Sequence, residues 1–149
     1  MKRFLVLEAN AVFRECLVIV LEWSTGLQAL QAWSVEGARR ALAEPRNKVE
    51  LAIVDIDSRN GNPSDGNPLG LVEELRRSDP HLPVLALTTA DWSSERRVRA
   101  LRAGASQVVD SSGALEEIID SARRLVGAPV SDSQTGTATE IRRLLRNSG

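Results

Sequence analysis

Lysine is scarce in this sequence of 149 residues, as are cysteine and histidine. Of the 19 basic residues only Lys2 and Lys48 are lysines, and the other 17 are arginines. A single cysteine, Cys16, excludes an intrachain disulfide and fits a reducing compartment. The only histidine, His81, argues against a histidine-based catalytic site and against a metal site built from several histidines.

Long apolar runs are missing as well. The first run, residues 4–7, stops at Glu8 and is too short for a signal peptide or a membrane helix. We therefore expect a cytoplasmic protein with no membrane segment. The net charge of −1 gives no whole-chain electrostatic attraction to nucleic acid or to anionic membranes.

Short apolar runs alternate with longer amphipathic ones along the chain. The runs at 4–7, 49–54 and 83–88 are typical of strands buried on both faces, and 27–33 and 107–109 are weaker strand candidates. Apolar spacing and capping residues predict five helices, at residues 11–23, 34–43, 69–78, 93–103 and 114–126. This alternation predicts an α/β fold with a doubly wound, five-stranded parallel sheet and helices on both faces.

The domain organisation follows from a change in composition near residue 127. We expect one domain over residues 1–127. Residues 128–149 are polar and typical of a linker, with enough apolar spacing near their end for one short helix.

Acidic residues follow two of the predicted strands. Glu8 comes after strand 1, and Asp55 with Asp57 comes after strand 3. In the strand order 2-1-3-4-5, strands 1 and 3 are neighbours, so Glu8 and Asp55 meet at the carboxyl edge of the sheet. Two close carboxylates repel unless a cation binds or a pKa rises, and Mg²⁺ suits such a site. The alternative is that these acids only cap strand ends and face solvent.

The ordered pattern resembles the receiver domain of bacterial two-component response regulators, which has a flavodoxin-like fold. The residues that carry the resemblance lie at 4–15, 51–57, 83–89 and 102–105, and the similarity extends over residues 2–126.

The resemblance implies a role for each residue at the strand ends. Asp55 would accept a phosphoryl group from a sensor histidine kinase. Glu8, Asp55 and the backbone carbonyl of Asp57 would hold Mg²⁺. Thr88, at the end of strand 4, would bind the phosphoryl group and move the following loop inward, as a local switch with a wider readout.

Three positions depart from the family pattern. Ala9 replaces an acid that contacts the metal, Ser111 replaces a lysine that pairs with the phosphoryl oxygens, and Val108 replaces the aromatic switch residue. Fewer ligand charges predict weaker Mg²⁺ binding, and the missing cation removes a charge-assisted contact. No arginine follows strand 5 until Arg123, so we expect the site to lack its usual cation.

Two functional interpretations remain open, and neither is an enzyme. The first is an atypical receiver with impaired phosphorylation that acts through protein–protein contacts. The alternative is a conventional receiver that uses Asp55 and Mg²⁺ to switch dimerisation or a DNA-binding output domain. An unrelated enzyme on the same sheet is less well supported, because no glycine-rich phosphate loop follows strand 1.

Arginines crowd the last two predicted helices, at Arg96, Arg97, Arg99, Arg102, Arg123 and Arg124. The resemblance implies that the face formed by helix 4, strand 5 and helix 5 mediates homodimerisation. A solvated, charged helix face is the simpler alternative. Near its end, the chain also resembles the first helix of a helix-turn-helix output domain. The sequence contains no recognition helix, so we expect no direct DNA binding.

The three tryptophans are scattered. Trp92 follows strand 4, where a ring would lie near the predicted site. We expect Trp23 and Trp33 to pack at the rim of the core.

Overall fold

A computed structural model describes residues 2–89 and 94–127 of the chain. Within them, five strands alternate with five helices. The strands are β1 (Arg3–Leu7), β2 (Gln28–Ala32), β3 (Val49–Asp55), β4 (Val84–Thr88) and β5 (Gln107–Asp110). The helices are α1 (Ala11–Thr25), α2 (Val35–Ala43), α3 (Pro68–Ser78), α4 (Ser94–Ala103) and α5 (Leu115–Val126).

All the strands are parallel, and their order is β2-β1-β3-β4-β5. Leu7 at the end of β1 pairs with Val54, and Asp55 at the end of β3 pairs with Leu87. The carboxyl ends of the strands therefore share one edge. The predicted flavodoxin-like receiver fold is confirmed.

The two faces of the sheet bury separate apolar clusters. The face covered by α2, α3 and α4 includes Leu5, Leu7, Val54, Val84, Ala86 and Val108. The face covered by α1 and α5 includes Phe4, Val6, Leu51, Ile53, Leu85 and Leu87. Because β1, β3 and β4 are buried on both faces, the polar residues that follow them are held by rigid backbone.

Side-chain caps begin α1, α2 and α3 near the carboxyl edge. Asn10, two residues after Glu8, accepts a hydrogen bond from Phe13 N at 2.9 Å and caps the start of α1. The long loop after β3 is tied to α2 because Asp65 accepts from Val35 N at 2.9 Å and Glu36 N at 3.0 Å. These bonds satisfy amides that an isolated helix start would leave without partners.

The two lysines lie at the opposite edge of the sheet. Lys2 directly precedes β1 and Lys48 directly precedes β3, and both are exposed. Neither can therefore reach the carboxyl edge.

The expectation for Trp23 and Trp33 is wrong, since these side chains are 68% and 59% exposed. The Arg14 guanidinium instead stacks over the Trp33 ring, 5.5 Å from its centroid. Trp92 and the predicted linker at 128–149 lie outside the described residues. No helix within 2–89 and 94–127 is long and apolar enough to cross a membrane.

Candidate functional site

The candidate site lies at the carboxyl edge, where β1, β3 and β4 end. Glu8 follows β1, Asp55 is the last residue of β3, and Thr88 is the last residue of β4. All three are nearly buried, with 4%, 6% and 1% of their surfaces exposed. Polar groups this deep need partners, so their contacts define what the site can do.

Glu8 and Asp55 meet, as the strand order predicts. Burial, together with hydrogen bonding to Glu8 and repulsion from its charge, raises the pKa of Asp55 to about 8, against a smaller opposing effect of Arg59. Glu8 Oε1 accepts from Asn10 N at 2.9 Å, whereas the buried Glu8 Oε2 accepts from no amide, hydroxyl or guanidinium of the residues that the structure describes. The carboxyl oxygens of Glu8 and Asp55 can therefore share a proton or bind a cation between them.

Asp57 uses its side chain in a way that the sequence analysis did not predict. Its carboxylate Oδ2 accepts from the Thr88 hydroxyl at 2.6 Å and from Thr89 N at 2.8 Å, and the carboxylate also forms an ion pair with Arg96 of α4. Within 2–89 and 94–127, no three His, Cys, Asp or Glu side chains are grouped to hold a metal ion. Glu8 and Asp55 are thus the two acidic side chains at this edge that are placed to bind a cation.

The structure places two arginines near the acids, although Ser111 stands where the family has its lysine. Arg96 reaches Asp57 from the first turn of α4, and Arg59 lies close enough to Asp55 to influence its pKa. The sequence pattern did not indicate either arginine, because Arg59 lies in the loop after β3 and Arg96 lies on α4, whereas the family's lysine follows strand 5. Arg123, assigned to a surface face, is instead 2% exposed.

The three departures from the family pattern are filled by small side chains. Ala9 N donates to Ser58 Oγ at 2.8 Å, which joins the segment after β1 to the loop after β3. Ser111 N donates to Thr88 O at 3.0 Å, and its hydroxyl oxygen is buried without a hydrogen-bond partner among the described residues. Val108 is 5% exposed within the core. None of these side chains supplies charge to the site.

Sequence comparison finds regulators of transcription. The chain is 35% identical over 120 residues to the virulence transcriptional regulatory protein PhoP of Salmonella typhimurium, covering 80% of this chain and 49% of that protein. It is 33% identical over 117 residues to the transcriptional regulatory protein PhoP of Escherichia coli O6:H1, covering 78% and 48%. The chain thus spans about half the length of these curated relatives. No family model matches the sequence.

Comparison with solved structures finds receiver domains. The receiver domain of NtrX from Brucella abortus superposes with a TM-score of 0.70 at 25% identity, covering 85% of this chain and 99% of that one. A CheY-like response regulator receiver domain protein from Methanospirillum hungatei JF-1 gives a TM-score of 0.71 at 18% identity, covering 92% and 98%. Sequence and structure together support a response regulator receiver domain.

Proposed function

We propose that this chain, with its receiver fold and its similarity to PhoP, is an atypical signalling receiver and not an enzyme. In this proposal, phosphorylation of Asp55 is impaired and the domain acts through protein–protein contacts in the cytoplasm. One observation carries the proposal. The carboxyl edge has neutral Ala9 and Ser111 at the two positions where the family has an acid and a lysine.

The remaining residues fit a Mg²⁺ ion, although with fewer charges than the family pattern offers. Glu8 has a buried oxygen that accepts from no amide, hydroxyl or guanidinium of the described residues, and the Asp55 carboxyl group lies beside it. Glu8, Asp55 and the backbone carbonyl of Asp57 would hold the ion, which would neutralise the carboxylates and an incoming phosphoryl group. Affinity tracks the number of ligand charges, so this site should bind Mg²⁺ weakly.

A conventional receiver is the second candidate, and Arg59 and Arg96 favour it. In that case an Asp55 oxygen forms a bond to phosphorus as the bond to the histidine nitrogen of a sensor kinase breaks. A guanidinium pairs well with phosphoryl oxygens and would partly replace the lysine. Thr88 would then act as the switch, and dimerisation or a DNA-binding output domain would be the readout.

The proposed surface for homodimerisation is formed by α4, β5 and α5. On α4, Val98 and Leu101 are 41% and 43% exposed and lie among arginines. Exposed apolar side chains bordered by charge are typical of interfaces.

Incubation with acetyl phosphate and Mg²⁺, followed by intact-mass measurement, tests the proposed function. The wild-type protein should show little of the adduct of about 80 Da that one phosphoryl group adds. The double variant Ala9→Asp/Ser111→Lys should show more, because it restores a ligand charge and a cation. Asp55→Asn in both backgrounds controls for modification elsewhere. A stable, near-complete wild-type adduct that Asp55→Asn abolishes would establish the conventional receiver instead.

A further inference from the structure

The carboxylate of Asp57 binds three groups that belong to β4 and to the segment after it. The Thr88 hydroxyl donates at 2.6 Å, Thr89 N donates at 2.8 Å, and the Arg96 guanidinium forms an ion pair. The Asp57 side chain is 14% exposed and Thr88 is 1% exposed. Hydrogen bonds to an ionised carboxylate at such distances are charge-assisted, and solvent screens them little at this depth.

The backbone after β3 fixes the position of Asp57. Ile56 N donates to Leu87 O at 2.9 Å, which continues the β3–β4 pairing past Asp55. Asp57 N then donates to Asp55 Oδ1 at 2.9 Å, closing a tight turn. Because the first bond holds the turn against β4 and the second closes the turn, the Asp57 carboxylate lies opposite the end of that strand without needing a ligand.

We propose that Asp57 is a positioning residue whose carboxylate serves as an internal substitute for a phosphoryl group. It holds Thr88, the Thr89 amide and the start of α4 in one arrangement in the absence of phosphorylation. The hydroxyl of Thr88, which the family resemblance assigns to a phosphoryl group, is already bound to an anion of the protein itself. The position of the α4 surface therefore does not depend on phosphorylation. This inference rests on the proposed phosphorylation-independent function.

Hydrogen–deuterium exchange of the segment 84–103 tests the inference. In Asp57→Ala, the amide of Thr89 and those in the first turn of α4 should exchange about tenfold faster or more, because charge-assisted bonds that oppose local opening are lost. In Arg96→Gln, only the α4 amides should exchange faster, since the bonds from Thr88 and Thr89 remain. Arg99→Gln is the matched control, because Arg99 pairs with Glu95 within α4, at 2.8 Å.

Asp57→Asn keeps the side-chain volume and removes the charge, so it tests the same contacts if Asp57→Ala fails to fold. Exchange in 84–103 that is unchanged in both Asp57 variants, or that Arg99→Gln accelerates equally, would overturn the inference. The acetyl phosphate experiment separates the two proposals. If the wild type forms a full Asp55 adduct while Asp57→Ala still accelerates exchange, the proposed function fails and the role of Asp57 stands.

Discussion

The charge of Asp55 depends strongly on the fold. The residue is buried beside a second carboxyl group, and each of these facts favours its neutral form. The same property makes it sensitive to any cation that enters the site. The nearby guanidinium of Arg59 lowers the pKa of Asp55, but this offsets only part of the rise caused by burial and by Glu8.

We predict that Asp55 makes the stability of the protein depend on pH. Its pKa is raised from 3.8 to about 8 on folding, so between these values the folded state binds more protons than the unfolded state. The contribution of Asp55 to the free energy of unfolding is therefore most favourable below about pH 4. It falls as the pH rises and is fully lost once the pH has passed about 8. Urea denaturation should therefore give a free energy of unfolding a few kcal/mol lower at high pH, relative to Asp55→Asn.

The difference between the wild type and Asp55→Asn isolates this group, since all other titrations are common to both proteins. Added Mg²⁺ should reduce the difference at high pH by stabilising the charged pair. Parallel pH profiles for the two proteins would contradict the prediction.

At the scale of elements, the sequence predicted nearly everything about the sheet and less about the site. Periodicity placed each strand and helix to within about two residues, because burial on both faces makes the apolar runs of β1, β3 and β4 distinctive. The meeting of Glu8 and Asp55 followed from strand order alone. The side-chain contacts of Asp57 and Arg96 did not, because they depend on a turn and on a helix start whose directions no periodicity encodes.

Gly104, which follows α4, should tolerate no side chain. Its φ is +120°, and a Cβ there would lie 2.7 Å from Arg76 Cβ. Arg76 cannot withdraw easily, because its Nε and Nη2 donate to Gly104 O at 3.0 and 2.8 Å. We predict that Gly104→Ala costs about 2–4 kcal/mol of stability through backbone strain and overpacking.

Gly26→Ala is the control for that measurement, because Gly26 has a φ of +74° and nothing lies within 4 Å of the place where a methyl group would sit. Gly26→Ala should lower the free energy of unfolding by about 1–2 kcal/mol, the cost of backbone strain alone. Urea denaturation of both variants measures the two costs. Equal losses would show that the contact with Arg76 contributes nothing.

For the whole molecule, we predict a concentration-dependent homodimer through the surface formed by α4, β5 and α5. Val98→Asp or Leu101→Asp should weaken the dimer at least about tenfold, because a charge replaces an apolar contact. Light scattering coupled to size-exclusion chromatography over a concentration series measures the change. Ile19→Asp is the control, since Ile19 is 62% exposed on α1, which packs on the other face of the sheet.

A protein that stays monomeric at all concentrations would exclude this dimer. Dissociation caused by Ile19→Asp, with no effect at Val98 or Leu101, would move the interface to α1.

The position of Lys2 and Lys48 has a practical consequence for anyone who measures binding to this domain. Both side chains are exposed at the amino edge of the sheet, away from Glu8, Asp55 and Asp57. Fluorescent dyes, biotin or sensor surfaces coupled through lysine amines therefore attach behind the site and leave the carboxyl edge open to solution. Reagents directed at arginine would also modify the carboxyl edge, because Arg59 and Arg96 lie beside the acids.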